Sequence, residues 1–306
     1  MQVLSLAQPK APPAAVATAK PAAADTPSTP VAEDTVSIDQ NPGSVNKPKS
    51  NLAHKVVGAA MAGGTAMLLT KMGMQIAAMP DLGTQLAAGA ACVGAAVGAY
   101  AAADLASGVF HWTIDNYPSP DTPILGPMAA EFQVHHNDAT DLSRGTLLSN
   151  MYPAGSAMSF PLLAAAFLTP TTPTVGLLTP ALGAAAISFF AGGYLAQGSH
   201  RYSHEENPPA FAKFLQKTGL AQSPANHAQH HTKPWDTYYC IVNGMWNPVL
   251  DKTDFWRKLE AGVYKVTGAE PNSWRDPDVK ARALGEIDRE TFEQRMMTKG
   301  HQPNMY

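Results

Sequence analysis

The chain has 306 residues, a formal net charge of -3, and 15% charged against 45% hydrophobic residues. This balance carries no strong nucleic-acid signal. Its two cysteines, Cys92 inside an apolar run and Cys240 in Tyr-Tyr-Cys-Ile-Val, cannot staple a secreted fold of this size and fit a reducing or intramembrane setting.

Residues 1–52 read as a disordered leader. The first fifty are rich in Ala, Pro, Ser and Thr, carry four Lys against four acids, and lack the apolar periodicity needed to bury a core. No early apolar stretch follows a basic one, so this is not a secretory signal.

A bilayer core takes roughly 20 helical residues to cross. Four stretches are candidates: about Val56 to Met79, Gln85 to Val109, Ala154 to Leu168 and Val175 to Leu195. The first two are rich in Ala and Gly, which suits close helix packing in lipid; buried soluble helices are the alternative. The third is short and contains Pro161, so it must tilt, kink or start earlier, near Met151. The fold class is therefore all-α and integral to a membrane, with residues 53–276 forming the membrane domain and 277–306 a charged tail. Phe211, Phe214, Leu215 and Leu220 predict a short amphipathic helix. Phe255, Trp256, Leu259, Val263 and Val266 predict another, placed either on the membrane surface or against the rest of the domain.

Two hairpins of helices put the loop from Phe110 to Tyr152 and everything after Gln197 on one side. Arg144, Arg201, Lys213, Lys217 and Lys233 fall on that side, which the positive-inside rule makes cytosolic or stromal. Lys71 is the exception and is expected to snorkel to the far interface.

Eight of the ten histidines fall in groups on this same side: His111, His135-His136, His200-x-x-x-His204 and His227-x-x-His230-His231. The spans were assigned without using them. Helical spacing brings His200 to the face of His204, and His111 to that of Asp115. His227, His230 and His231 are expected to share a face, while adjacent His135 and His136 can each serve one of two neighbouring metals. His54 and His301 stand apart and read as ordinary histidines. Asp115 could be a ligand, a partner orienting an imidazole N–H, or a helix-end residue; Asp138 and Asn150 are weaker candidates for the orienting role.

Eight imidazoles without a thiolate suit iron, copper or zinc. A histidine-rich cap over an apolar bundle is placed to act on lipid. Two irons can activate oxygen and remove hydrogen from an unactivated acyl carbon, chemistry that side chains alone lack. Trp112, Tyr194 and Trp246 are candidates either for shaping an acyl tunnel or for an interfacial aromatic belt.

The segments Asp104-Leu-Ala-Ser-Gly-Val-Phe-His-Trp-Thr-Ile-Asp115, Phe132-Gln-Val-His-His136, His200-Arg-Tyr-Ser-His204, His227-Ala-Gln-His-His231 and Tyr239-Cys-Ile-Val-Asn-Gly-Met-Trp-Asn247 resemble the motifs of Kua-type lipid desaturases. The resemblance covers about residues 100 to 276. It implies that all eight clustered histidines hold two Fe ions. The family includes plasmanylethanolamine desaturases and the plastid fatty acid desaturase 4 type, which places a trans-3 double bond in palmitate of phosphatidylglycerol. Asp115-Asn-Tyr, Gln222-Ser-Pro-Ala-Asn-His227 and Tyr239-Cys-Ile-Val are similar to the plastid type. Residues Asn137 to Arg144 keep only part of either branch's pattern, and Gly145 stands where a larger polar residue is usual.

The resemblance implies an O2-dependent membrane acyl-lipid desaturase with a membrane phospholipid substrate. Its external electron donor would be ferredoxin in a plastid, with a plastid transit leader and a stromal site, or cytochrome b5 in the endoplasmic reticulum. A bacterial inner membrane is the remaining location. An ether-lipid desaturase is the alternative enzyme. A membrane metal transporter or sensor would instead need its ligands at mid-membrane depth, and a scaffold protein would tolerate loss of His200.

Overall fold

The computed structural model describes residues 49–300. The leader reading therefore falls, up to residue 48, outside the described residues, as does His301. Among the described residues every regular element is helical.

Four long helices are apolar enough to cross a membrane: α1 (Leu52–Ala77), α2 (Leu82–Asn116), then after α3 (Gly126–Asn137) and a 3-10 turn (Ala139–Arg144), α4 (Leu147–Leu168) and α5 (Leu178–His204). Each of the first three begins at a side chain that accepts a backbone N–H: Asn51 for α1, Asp81 for α2 and Thr146 for α4. α4 starts at Leu147, earlier than the hydropathy of the sequence suggests, and runs through both Pro153 and Pro161. α2 and α5 overrun the apolar stretches at their C-terminal ends, which carries His111, Asp115, His200 and His204 on continuous helix.

The hairpins α1–α2 and α4–α5 stack like on like. α1 runs parallel to α4, with Ser50 hydrogen-bonded to Thr146 at one end and Lys71 to Ala166 at the other. α2 runs parallel to α5, and α4 lies antiparallel to α5. The backbones approach closely where side chains are small. A Cβ on Gly64 would lie 3.1 Å from the backbone of Leu163, so a larger residue there would press on α4 and make the backbone give by a few tenths of an ångström. Leu69, Leu82, Leu86, Val93, Val97, Phe167 and Leu182 face outward and exposed, as lipid-facing positions do. The protein is thus an all-α integral membrane protein.

Lys71 points away from the histidine end and donates to the carbonyls of Ala166 (2.7 Å), Phe167 (3.2 Å) and Thr169 (2.6 Å). It closes the C-terminus of α4, where unpaired carbonyls and the negative helix pole favour a cation.

The remaining chain forms the cap: α6 (Ala210–Lys217), α7 (Pro224–His230), α8 (Asn247–Lys252), α9 (Phe255–Thr267), α10 (Pro277–Ala283) and α11 (Arg289–Thr298). Phe211 and Phe214 of α6 are exposed. α9 packs on the site domain: Trp256 is buried against Trp112 and Tyr239, and Arg257 pairs with Asp236 and Glu260. In the charged terminal segment Val279 and Met296 are buried, and Arg282 pairs with Asp254 of the loop between α8 and α9.

Lys71→Met should lower the melting temperature of the detergent-solubilised protein, corresponding to about 1–3 kcal/mol for charged donors lost to carbonyls. Lys71→Arg should retain most of the stability, and thermal unfolding followed by intrinsic fluorescence compares them.

Candidate metal centre

The eight clustered histidines and Asp115 meet in one place and sort into two groups. His135, His200, His204, His227 and His231 form the first; His111, Asp115, His136 and His230 form the second. Within each group the candidate ligand atoms lie within 4.8 Å of one another. The adjacent pair His135-His136 is divided between the groups, as the sequence suggested. So is His230-His231, which the sequence did not suggest. His227, His230 and His231 do not share one face. α7 ends at His230, and His231 turns with His227 into the first group while His230 turns to the second.

The nitrogens point at each other. In the first group, Nε2 of His135 lies 2.9 Å from that of His200 and 3.1 Å from those of His204 and His231. His227 Nε2 lies 2.8 Å from His204 and 3.0 Å from His231. A neutral imidazole has one N–H, so protons cannot satisfy such a many-way meeting. A cation can: ligand nitrogens about 2.1 Å from one ion are about 3 Å apart when they subtend a right angle. In the second group, Asp115 Oδ2 lies 3.4 Å from His111 Nε2, 3.6 Å from His136 Nε2 and 3.7 Å from His230 Nε2. Both Asp115 carboxylate oxygens and His111 Nε2 are buried without a hydrogen-bond partner, which a bound cation would remedy. The donor set therefore fits two metal ions.

Asp115 sits among the converging donor atoms rather than behind an imidazole. The orienting role falls to other groups. His230 Nδ1 donates to Thr237 O (2.8 Å), His111 Nδ1 to Tyr239 O (3.1 Å), and His200 Nδ1 pairs with Gln197 Oε1 (3.3 Å). Each donation to a carbonyl leaves the Nε2 lone pair facing inward. Asp138 instead caps the 3-10 turn and pairs with Arg144, and Asn150 accepts from Arg201; neither reaches the histidines.

The chain just after these carbonyls is fastened to α2 by Asp104, fully buried and two turns before His111. Its Oδ1 accepts from the backbone N–H of Val242 (3.1 Å), Asn243 (2.9 Å) and Gly244 (2.9 Å). The loop lies so close to α2 that a Cβ on Gly108 would meet Cys240 Sγ. Trp235 and Tyr238 take left-handed backbone angles, φ 59° and 57°, which for residues with a Cβ cost about 1 kcal/mol or more each. An acid inside an otherwise apolar helix, seven residues before a candidate ligand, was the available sequence signal for Asp104.

Burial, followed by the neighbouring imidazoles, holds the histidines of α3 and α7 and His231 well towards the neutral form. His136 is pushed down to about 3 by burial and then by His231, and His231 to about 4 by burial. His135, His227 and His230 are lowered by the same causes. Neutral imidazole is the metal-binding form.

A cavity of about 850 Å³ runs from His111, His135 and His200 between α2, α3, α4 and α5. It lies within the usual range of about 300–1,000 Å³ for small-molecule sites. Phe110, Phe132, Ala157, Met158, Phe189 and Gly193 line its apolar walls. The three aromatics proposed from sequence do not. Trp112 is packed under α9, Tyr194 between α1 and α4, and Trp246 donates to Ala101 O. Trp112 and Tyr194 are buried in packed core, so neither the tunnel nor the belt reading describes them; Trp246 is partly buried and does not line the cavity. His54 is an ordinary capping residue of α1 through Asn51, and it also lines the cavity.

The lipid desaturase domain matches residues 100–274, and the chain belongs to that family. Among characterised relatives, fatty acid desaturase 4-like 1, chloroplastic, from Arabidopsis thaliana is 32% identical over 181 residues, covering 58% of this chain and 59% of that one. Fatty acid desaturase 4, chloroplastic, from the same plant is 32% identical over 58% of this chain and 54% of its own length. Plasmanylethanolamine desaturase of Myxococcus xanthus is 32% identical over 206 residues, 67% of this chain and 69% of that one. The matches to the chloroplastic relatives thus span between 54% and 62% of their lengths. No solved structure matches.

His227→Ala and His230→Ala, one from each group, should each remove about half of the metal bound by the wild type, measured by plasma mass spectrometry of the purified protein. The histidines also set an acid limit. Imidazoles harder to protonate when folded make the unfolded chain the better proton binder below about pH 6.5. The metal-free protein should therefore lose stability progressively as pH falls from about 6.5 to about 3, and thermal melts across that window should register the loss.

Proposed function

We propose that the protein is a membrane acyl-lipid desaturase that uses two iron ions, O2 and an external electron donor. The observation that carries this reading is the apolar cavity that ends on His111 of one metal-type group and His135 and His200 of the other. Bound iron supplies the oxygen activation and hydrogen abstraction that no side chain can. In the overall balance, two hydrogens leave adjacent carbons and O2 becomes two waters with two electrons from the donor and two protons.

The residues of the chain do the rest. The histidines of both groups would hold the ions through their inward Nε2 lone pairs, joined in the second group by Asp115. Phe110, Phe132, Met158 and Phe189 exclude water from the acyl chain and fix its bend. Asn150, Ser149 and Gln197 give polar contacts at the histidine end of the cavity.

The leading substrate is phosphatidylglycerol, with a trans-3 double bond placed in its palmitate, as the likeness to the plastid relatives supports. The setting would be a chloroplast membrane with the histidines facing the stroma and ferredoxin as donor. The basic residues Arg144, Arg201, Lys213, Lys217 and Lys233 on the histidine side support that orientation. One observation favours an ether lipid with an amine headgroup instead: among the described residues the acids lining the cavity are Glu131 and Asp141, and no Lys or Arg lines it. Asp141 is partly offset by Arg144 at 3.5 Å. That reading makes the protein a plasmanylethanolamine desaturase, with cytochrome b5 as donor in the endoplasmic reticulum or a bacterial carrier in an inner membrane. A transporter or sensor is disfavoured because the ligands cluster in the cap and at helix ends.

Lipid mass spectrometry of cells expressing the wild type or His231→Ala tests this. A trans-3-hexadecenoyl phosphatidylglycerol made only by the wild type supports the leading substrate. New vinyl-ether lipids on feeding alkyl-ether lipids, without that species, support the second. No histidine-dependent change with either, given bound iron and a working donor, overturns both. Ala157→Trp should cut conversion while leaving metal content unchanged, because it fills the cavity and touches no ligand.

A further inference from the structure

The loop between His231 and Tyr239 touches every histidine of the second group. The carbonyl of Tyr239 takes His111 and that of Thr237 takes His230. His136 is met by a ring: Trp235 stacks on it with 5.9 Å between centroids and 7° between planes. The side chain of His136 is 6% exposed. Among the described residues, the imidazoles of the first group have ring contacts only with other imidazoles. Those of the second group meet three further rings. Phe132 belongs to the acyl cavity, Tyr239 is completely buried, and Trp235 alone of the three stands half-buried outside the cavity lining. Exposed Lys233 places its ammonium 5.4 Å from the Trp235 ring centroid.

We propose that Trp235 is the port through which electrons reach the centre, passing across its indole to His136. The inference rests on the redox reading above. An aliphatic side chain could prop an imidazole from behind. A parallel indole 5.9 Å from the imidazole, centroid to centroid, instead places an aromatic ring between the partly solvated side of the cap and a candidate ligand. The backbone holds that contact in a conformation that side chains with a Cβ avoid, which marks the placement as imposed by the surrounding fold. In each passage a reduced one-electron carrier protein, bearing an iron–sulphur cluster or a haem, loses one electron and the centre gains it. The indole is unchanged at the end. Two passages supply the two electrons that one double bond requires.

The test uses the full-length, metal-loaded protein in detergent under anaerobic conditions, as wild type, Trp235→Phe and Trp235→Leu. Reduced [2Fe–2S] ferredoxin and reduced cytochrome b5 are each mixed with it, and oxidation of the carrier is followed by its own absorbance. Reduced methyl viologen, a small donor that needs no port, serves as the comparison, and metal content is measured for each variant. We expect Trp235→Leu to slow carrier oxidation roughly tenfold or more, the low end of effects at groups supporting metal ligands. Trp235→Phe should stay close to wild type, with metal content and the viologen rate unchanged in both. Carrier oxidation that is unaffected in Trp235→Leu overturns the proposal. Parallel loss of metal and of both rates also overturns it, in favour of a merely supporting role. A wild type reduced by viologen but by neither carrier overturns it as well, while a wild-type centre that viologen cannot reduce sinks the redox reading itself.

Discussion

The structure turns on one electrostatic constraint: nine donor side chains aim at two small volumes from which water is largely excluded. Imidazole nitrogens 2.8–3.1 Å apart repel if both carry lone pairs, and repel more if protonated. A carboxylate with both oxygens unpartnered is costly to bury. The polypeptide must hold this arrangement against its own preference, so the supporting contacts have to be strong and numerous. α2 and α5 provide the first of them. Running parallel and closely packed, they bring His111 and Asp115 alongside His200 and His204 at the same end of the bundle.

Asp104 supplies the second. A buried carboxylate that accepts successive backbone N–H groups forms charge-assisted bonds, stronger than neutral ones, and here they fasten the 240–246 loop to the helix that carries His111. The same loop is braced from the other side. Asn247 exchanges both backbone groups of Cys240, Asn226 bonds Asn247 and Gly244, and Arg257 joins Asp236 to Glu260. The orienting carbonyls of Thr237 and Tyr239 lie between these braces. Backbone carbonyls as orienting groups let the loop set two imidazoles by its path alone, with no further buried side chain to satisfy.

The bundle was legible because hydropathy and length report directly on membrane spans, and the shared side of the histidines followed from counting crossings. The eight histidines were legible because spacing of three and four maps onto helix faces. What spacing could not supply was the division of His230 from His231, which depends on α7 stopping between them. It also could not assign Asp115, since a ligand and an orienting partner leave the same mark in sequence. Orienting backbone carbonyls carry no side-chain signature at all. The cavity walls were misread for a related reason: large aromatics attract attention, yet Trp112 and Tyr194 fill the packed core, while the space itself is opened by small residues such as Ala103, Ala157 and Gly193. Lys71, an exception to the charge pattern, became intelligible only once the end of α4 was seen beside it.

The register of the cavity bears on where along a lipid the chemistry would fall. Its polar wall residues, His54, Ser149, Asn150 and Gln197, stand in the turns of α1, α4 and α5 nearest the histidines. Phe110 and Phe132 stand beside the histidines, while Ala157, Met158, Phe189 and Gly193 stand one to three turns further into the helices and are apolar. A lipid seated with its polar part against the former and its chain along the latter would pass the histidines almost at once. Both proposed reactions alter carbons close to the polar end of the molecule, and a cavity whose polar wall and whose metal-type groups share one end suits such carbons better than ones midway along a chain. The shared end thus accounts for why two chemically different headgroups are reasonable for one scaffold. The fold would fix the distance from polar end to reacting carbon, and the few ionisable side chains at that end, Glu131 and Asp141 among them, would decide which headgroup is accepted.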